Sequence, residues 1–92
     1  MRSQITTIAA SSGDTPITTA RGYLTLIQFS HSQTAAQTVT LKDRLGYPLA
    51  RHVINPSQAP QTVYFPRHSR FRFTNGLTID PAACVVTLHG AW

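Results

Sequence analysis

Apolar and polar residues alternate along much of this chain with a period of two, the pattern of half-buried β-strands. The alternation is strict from Arg70 to Phe73, with Phe71 and Phe73 set against Arg70 and Arg72. It returns in residues 38–42, where Val39 and Leu41 point inward and Thr38, Thr40 and Lys42 outward. Residues 23–30 are apolar on both faces in their middle. They read as a central strand covered on both sides, or as a strand carrying a bulge. Asn75-Gly76 tolerates positive φ and lets the chain bend. Leu77 and Ile79 then resume the alternation until Asp80-Pro81 breaks it. Cys84, Val86 and Leu88 mark one face of a closing strand, with Thr87 and His89 on the other. Residues 71–88 therefore read as a unit with one apolar side and one arginine-bearing side.

The punctuation between these runs is equally regular. Residues 3–10 are β-prone and form either a first strand or an arm that orders against a neighbour. Residues 11–14 are a loop signal, residues 16–20 are extended, and Gly22 allows a bend before the strongest strand. Residues 31–36 are a loop and residues 43–46 a turn. Pro48 keeps the segment 47–54 out of a central position, because proline cannot donate to the ladder. Residues 55–60, with two prolines, form a loop, and residues 62–65 a strand stopped by Pro66. No segment repeats apolar residues at helical spacing, and the one helical turn expected lies at Pro81-Ala82-Ala83. The turn spacing indicates a β-sandwich or small barrel, and the expectation is an all-β fold: a small antiparallel β-sandwich, jelly-roll or immunoglobulin-like, of about six to eight strands. It forms one domain over residues 1–92, with residues 1–14 as the candidate N-terminal arm.

Composition sharpens this picture. A chain of 92 residues hides little more than roughly 60% of its unfolded surface, so oligomerisation is a natural source of further burial. Net charge is +5 although only 12% of residues are charged, because acids are scarce. Asp14, Asp43 and Asp80 are the only carboxylate side chains. Each sits in a turn context, which leaves no facing pair for glycoside hydrolysis. His31, His52, His68 and His89 lack ligand spacing, no Gly-x-Ser-x-Gly elbow is present, and no glycine-rich phosphate loop occurs. No catalytic residue, cofactor or metal is expected. Cys84 is the lone cysteine and reads as a small buried hydrophobe. The first residues lack a secretion-signal core, and no stretch reaches the roughly 20 apolar residues of a bilayer span. A soluble protein made in a cytoplasm is expected, with no membrane partner.

Arg67, Arg70 and Arg72 lie close in sequence to Tyr64, Phe65, Phe71 and Phe73. Cations interleaved with aromatics can line a single-stranded nucleic-acid groove. Alternation, however, puts Phe71 and Phe73 opposite Arg70 and Arg72. The phenylalanines then belong to the core, and the outward guanidinium groups suit a protein interface. Trp92 docks either on its own domain or on another subunit.

The order of segments resembles a known group. Tyr-Leu-Thr-Leu-Ile-Gln-Phe-Ser is followed by a small-residue loop and Thr-Val-Thr-Leu-Lys-Asp, then by a middle section ending in an aromatic-proline step. Phe-Arg-Phe-Thr-Asn-Gly-Leu-Thr-Ile and Ala-Cys-Val-Val-Thr-Leu complete it. Over roughly residues 20–89 this is similar to small structural proteins of tailed bacteriophages, the nearest being capsid cement, or decoration, proteins. The resemblance implies a virion protein on the capsid surface, made in the host cytoplasm, that clasps neighbouring major capsid subunits. It implies a homo-oligomer, with a trimer favoured, and no active site. Candidate partner-binding residues are Ile5 and Ile8 of the arm, Arg67, Arg70, Arg72 and Trp92. Two other readings stay open: a head–tail connector or tail protein, and a basic single-stranded nucleic-acid-binding barrel.

Overall fold

Residues 2–55 and 60–92 are described by the computed structural model. Among them the alternating segments become nine strands: β1 (Ser3–Ile8), β2 (Thr15–Thr18), β3 (Gly22–Ser30), β4 (Gln37–Lys42), β5 (Pro48–Ile54), β6 (Gln61–Tyr64), β7 (Phe71–Phe73), β8 (Leu77–Asp80) and β9 (Val85–Ala91). They form two antiparallel sheets. The first runs β1-β9-β3-β6, with β7 also on β3, and the second runs β2-β8-β4-β5. The count exceeds the expected six to eight because two short strands share one edge of β3. Residues 26–29 of β3 pair with β6, and residues 22–24 pair with β7. The segment 1–14, open between arm and strand, contributes β1, which pairs with β9 from Ser3 to Ile8.

Residues 71–88 do not share one apolar side, because successive strands lie in different sheets. β7 and β9 belong to the first sheet and β8 to the second. Gly76 (φ 77°) and Ala82 (φ 51°) bend the chain between them. The expected helical turn at Pro81-Ala82-Ala83 is thus a left-handed turn. The Asp80 carboxylate accepts from the Ala82 N–H at 3.1 Å, and the Cys84 N–H donates to the Pro81 carbonyl at 3.0 Å. The Ser11 N–H donates to the Ala82 carbonyl at 2.8 Å, tying the β1–β2 and β8–β9 crossings together. Gly22 does not bend the chain either. It is the first residue of β3, and a Cβ there would overlap the Ala91 carbonyl oxygen, so glycine lets β9 approach.

The core fills the space between the layers. Leu24, Ile27, Phe29, Phe73, Val86 and Leu88 come from the first sheet, and Val39, Leu41, Ile54, Leu77 and Ile79 from the second. Each such side chain contributes about 1.5–3 kcal/mol when fully withdrawn from water. Cys84 is fully buried among them, and burial raises its thiol pKa, which leaves it an inert hydrophobe. Pro48 opens β5, which lies at the edge of the second sheet as expected. The loop expected at residues 55–60 falls largely on residues 56–59, outside the described residues. No helix among the described residues is long and apolar enough to cross a membrane.

His52 interrupts the apolar lining. It pairs with Val39 on the inward face of β5, with its ring 5.7 Å from that of Phe29. Its Nε2 is buried and has no hydrogen-bond partner among the described residues. Burial lowers its pKa below the ordinary 6.5. The unfolded chain therefore binds this proton more readily than the folded one. Stability contributed here is complete above pH 6.5 and is lost as pH falls from there through the lower folded value. Urea denaturation at a series of pH values should show this loss, and His52→Leu should flatten it. An unchanged slope in the variant would assign the pH dependence to other groups.

Candidate functional site

The outer face of the first sheet is shaped by one irregularity in β3. Its register against β9 shifts between Leu24, opposite Gly90, and Leu26, opposite His89. Thr25 is the extra residue of a β-bulge, which displaces the alternation by one position. Leu24, Ile27 and Phe29 can therefore all enter the core, while Tyr23, Thr25 and Leu26 remain only half-buried. The middle of β3, apolar on both sides in sequence, is thus the bulge alternative. Hydrogen bonds hold it from both neighbours. The Thr25 hydroxyl donates to the His89 carbonyl at 3.1 Å, and the Phe65 N–H donates to the Thr25 carbonyl at 2.9 Å.

The opposite edge of β3 breaks at the same place. β6 ends at Tyr64, opposite Leu26, and β7 begins at Phe71, opposite Leu24. Residues 66–70 loop out between them, with the rings of Phe65 and Phe71 5.7 Å apart at the neck. This excursion carries Arg70 onto the outer face, where its guanidinium carbon lies 4.3 Å from the centre of the Tyr23 ring. A cation over an aromatic face contributes about 0.5–1 kcal/mol at such a site. The Arg70 Nε is buried and lacks a hydrogen-bond partner among the described residues. Beside it a groove of ≈ 590 Å³ crosses β1, β9 and β3, bounded by Ile5, Tyr23, Thr25, Arg70 and His89. Next to the groove, Ile5, His89, Leu26 and Tyr64 stand in register across four strands. Ile5 is 69% exposed and Tyr64 74%.

Charge is divided between the sheets. Asp14, Asp43 and Asp80 all lie in the second sheet or its flanking turns, as do Lys42, Arg44 and Arg51, which balance them. Asp14 pairs with Lys42 at 3.0 Å, and Asp43 accepts from the N–H groups of Leu45 and Tyr47 within its turn. The remaining cations, Arg2, Arg21, Arg67, Arg70 and Arg72, belong to the strands of the first sheet or their connections. The cations of the second sheet and its turns are matched by the aspartates there, so the excess of five cations falls in the strands and connections of the first sheet, with Arg21 in the β2–β3 crossing.

No protein-family model, curated protein or solved structure matches this chain. The site is defined by its own geometry.

That geometry separates the residues expected to meet a partner. Ile5 and Arg70 border the groove, and Arg72 is exposed opposite Tyr23. Arg67 is exposed in the 66–70 loop. Ile8 is a correction: it is only 3% exposed and packs in the core, because it lies on the face of β1 opposite Ile5 and Thr7. Trp92 packs on its own chain, extending the β1–β9 pairing through two backbone bonds with Arg2 and accepting from the Gln4 side chain at 2.9 Å. Phe73 is buried and Phe71 half-buried against the core. Tyr23, Thr25 and His89 complete the groove, none of them among the residues the sequence marks for a partner. The doubled apolar face of β3 signals the bulge, but not which side chains it turns toward the groove.

No three histidine, cysteine, aspartate or glutamate side chains gather into a metal-binding group among the described residues. His31 ties loops together: its Nδ1 accepts from the Gln33 N–H, so its Nε2 donates to the Asn55 carbonyl at 2.7 Å.

Gly90 forms the floor of the groove. A Cβ there would overlap the Tyr23 carbonyl oxygen and lie 3.0 Å from the Leu24 Cα. Both are backbone atoms, so β3 and β9 would have to separate. Gly90→Ala should cost about 1–3 kcal/mol in chemical denaturation and displace the Tyr23 resonances. Wild-type stability in this variant would show that the strands are not held at this spacing.

Proposed function

We propose that this protein is a capsid cement, or decoration, protein of a tailed bacteriophage, which binds the outer head surface and joins neighbouring major capsid subunits. The observation that carries the reading is Arg70 and Arg72 beside Tyr23 on the outer face of the first sheet, near exposed Ile5 and Tyr64, with Arg2, Arg21 and Arg67 in that sheet's connections. A face with both cations and bare apolar side chains is suited to an acidic protein surface, where arginine and aromatic residues supply most of the contact energy. Strand order supports it. With β6 and β7 counted as one interrupted strand, β1-β9-β3-β6 facing β2-β8-β4-β5 is the connectivity we infer to be a jelly roll. That architecture recurs in viral capsid domains among others. Fold alone does not name a function, so weight rests on the charged face.

The other side of the molecule suits a second copy. Leu45, Tyr47, Leu49 and Val53 are exposed along β5 and the turn before it, where charge is balanced. Copies meeting there avoid the repulsion that two arginine faces would create, which favours a homo-oligomer, a trimer in the resemblance described above. Many copies on one lattice then act together through high effective concentration.

The test is addition of purified protein to isolated phage heads lacking their outer cement, followed by sedimentation and electron microscopy. The protein should co-sediment with heads and raise their resistance to heat. Arg67→Gln with Arg72→Gln should lower attachment roughly tenfold or more. Failure to attach would end the cement reading. Density at the neck or tail instead would move the protein to a connector or tail role. Tight binding to single-stranded oligonucleotides that collapses with salt would favour the polynucleotide reading.

A further inference from the structure

We infer that the groove beside Tyr23 is a carboxylate site: it takes an aspartate or glutamate side chain from an extended acidic segment of the partner, with Arg70 as its reader. The inference rests on the partner being a protein, as proposed above.

Three observations converge on this ligand. The first is the Arg70 Nε, buried with no acceptor among the described residues. An unpartnered buried donor is costly and calls for an explanation. Arginine presents its Nε–H and one Nη–H as a parallel fork that fits the two oxygens of a carboxylate. Arg70 already lines the groove, with its guanidinium carbon 4.3 Å from the Tyr23 ring, and a carboxylate that meets the fork there relieves the orphaned donor. The second observation is charge. The three aspartates lie with the second sheet and its turns, so the chain's own carboxylate side chains do not fill the site. His89 stands across the groove and Ile5 walls it, which adds a polar group and partly excludes water, conditions that strengthen an ionic hydrogen bond.

The third observation is the neighbouring line of Ile5, His89, Leu26 and Tyr64 across four strands. An extended chain presents side chains at alternate positions. One laid along this line can place an acidic side chain against Arg70 and an apolar one against Leu26 and Tyr64. A single-stranded nucleic acid, which could bring a phosphate to the arginine and a base to the ring, is the competing occupant in the test.

The experiment follows the Arg70 Nε–H signal by nuclear magnetic resonance in the full-length protein. The probes are a blocked peptide alternating glutamate with valine, the same peptide with glutamine for glutamate, and a single-stranded oligothymidine. The glutamate peptide should shift the Arg70 signal saturably and the glutamine peptide should not. Arg70→Gln should weaken peptide binding roughly tenfold or more, and Arg70→Lys, which keeps charge but not the fork, should weaken it as well. Arg44→Gln, in the turn after β4, should leave it unchanged. Equal binding of both peptides, undiminished binding by Arg70→Gln, or tighter occupation of the groove by oligothymidine would each overturn the inference. Head attachment separates this outcome from the reading above. Heads that take up Arg70→Gln as well as the parent overturn the groove alone. A peptide bound at Arg70 by a protein that ignores heads supports the groove and overturns the cement role.

Discussion

One inserted residue in the central strand governs what this protein shows to its surroundings. Without the bulge at Thr25, strict pleating of β3 would put Leu24 and Ile27 on opposite faces, and one of them would leave the core. With it, Leu24, Ile27 and Phe29 all lie inside. Tyr23 and Leu26 are then free to shape the outer face. The bonds from Thr25 to His89 and Phe65 secure the irregularity on both flanks, which is how a local defect in pairing becomes a fixed feature. The break between β6 and β7 falls opposite the same residue, so the loop bearing Arg70 emerges where the groove begins.

The two layers divide labour around a thin core. Among the described residues thirteen buried side chains form the cluster that holds the sheets together. The second sheet spends its aspartates locally, on turns and on Lys42. An exposed pair such as Asp14–Lys42 adds only about 0–1 kcal/mol, so these contacts shape turns more than they stabilise the fold. The first sheet keeps its arginines unopposed. His52, inward-facing and neutral by burial, is the point where the core itself answers to pH.

Much of this was readable from residue order. Val39 and Leu41 inward, Pro48 at an edge strand, Phe73 in the core and Arg72 outside all follow from period-two pleating and from proline's missing N–H. What residue order does not carry is which sheet a strand joins. Residues 71–88 looked like one amphipathic unit because alternation records only inside and outside, and it is blind to the layer. Ile8 was placed on a contact surface for a related reason: in a short β-prone segment either parity can face a neighbour until pairing with Val86 settles it. Arg70 was grouped with Arg72 by spacing, yet it reaches Tyr23 through a loop whose course depends on the neck formed by Phe65 and Phe71. Tyr23 became part of the site only through pairing across strands, which no local pattern encodes.

The division of charge has a consequence for motion in solution. Positive charge displaced from the centre of the molecule makes it a permanent electric dipole. In the field of an anionic assembly such a body experiences a torque before it makes contact, turning its arginine side forward over distances of about a Debye length, roughly 8–10 Å. A greater share of random collisions then begins in a productive orientation, so with an acidic partner of the kind proposed the layout of three aspartates on the far sheet would hasten encounter without touching that partner at all.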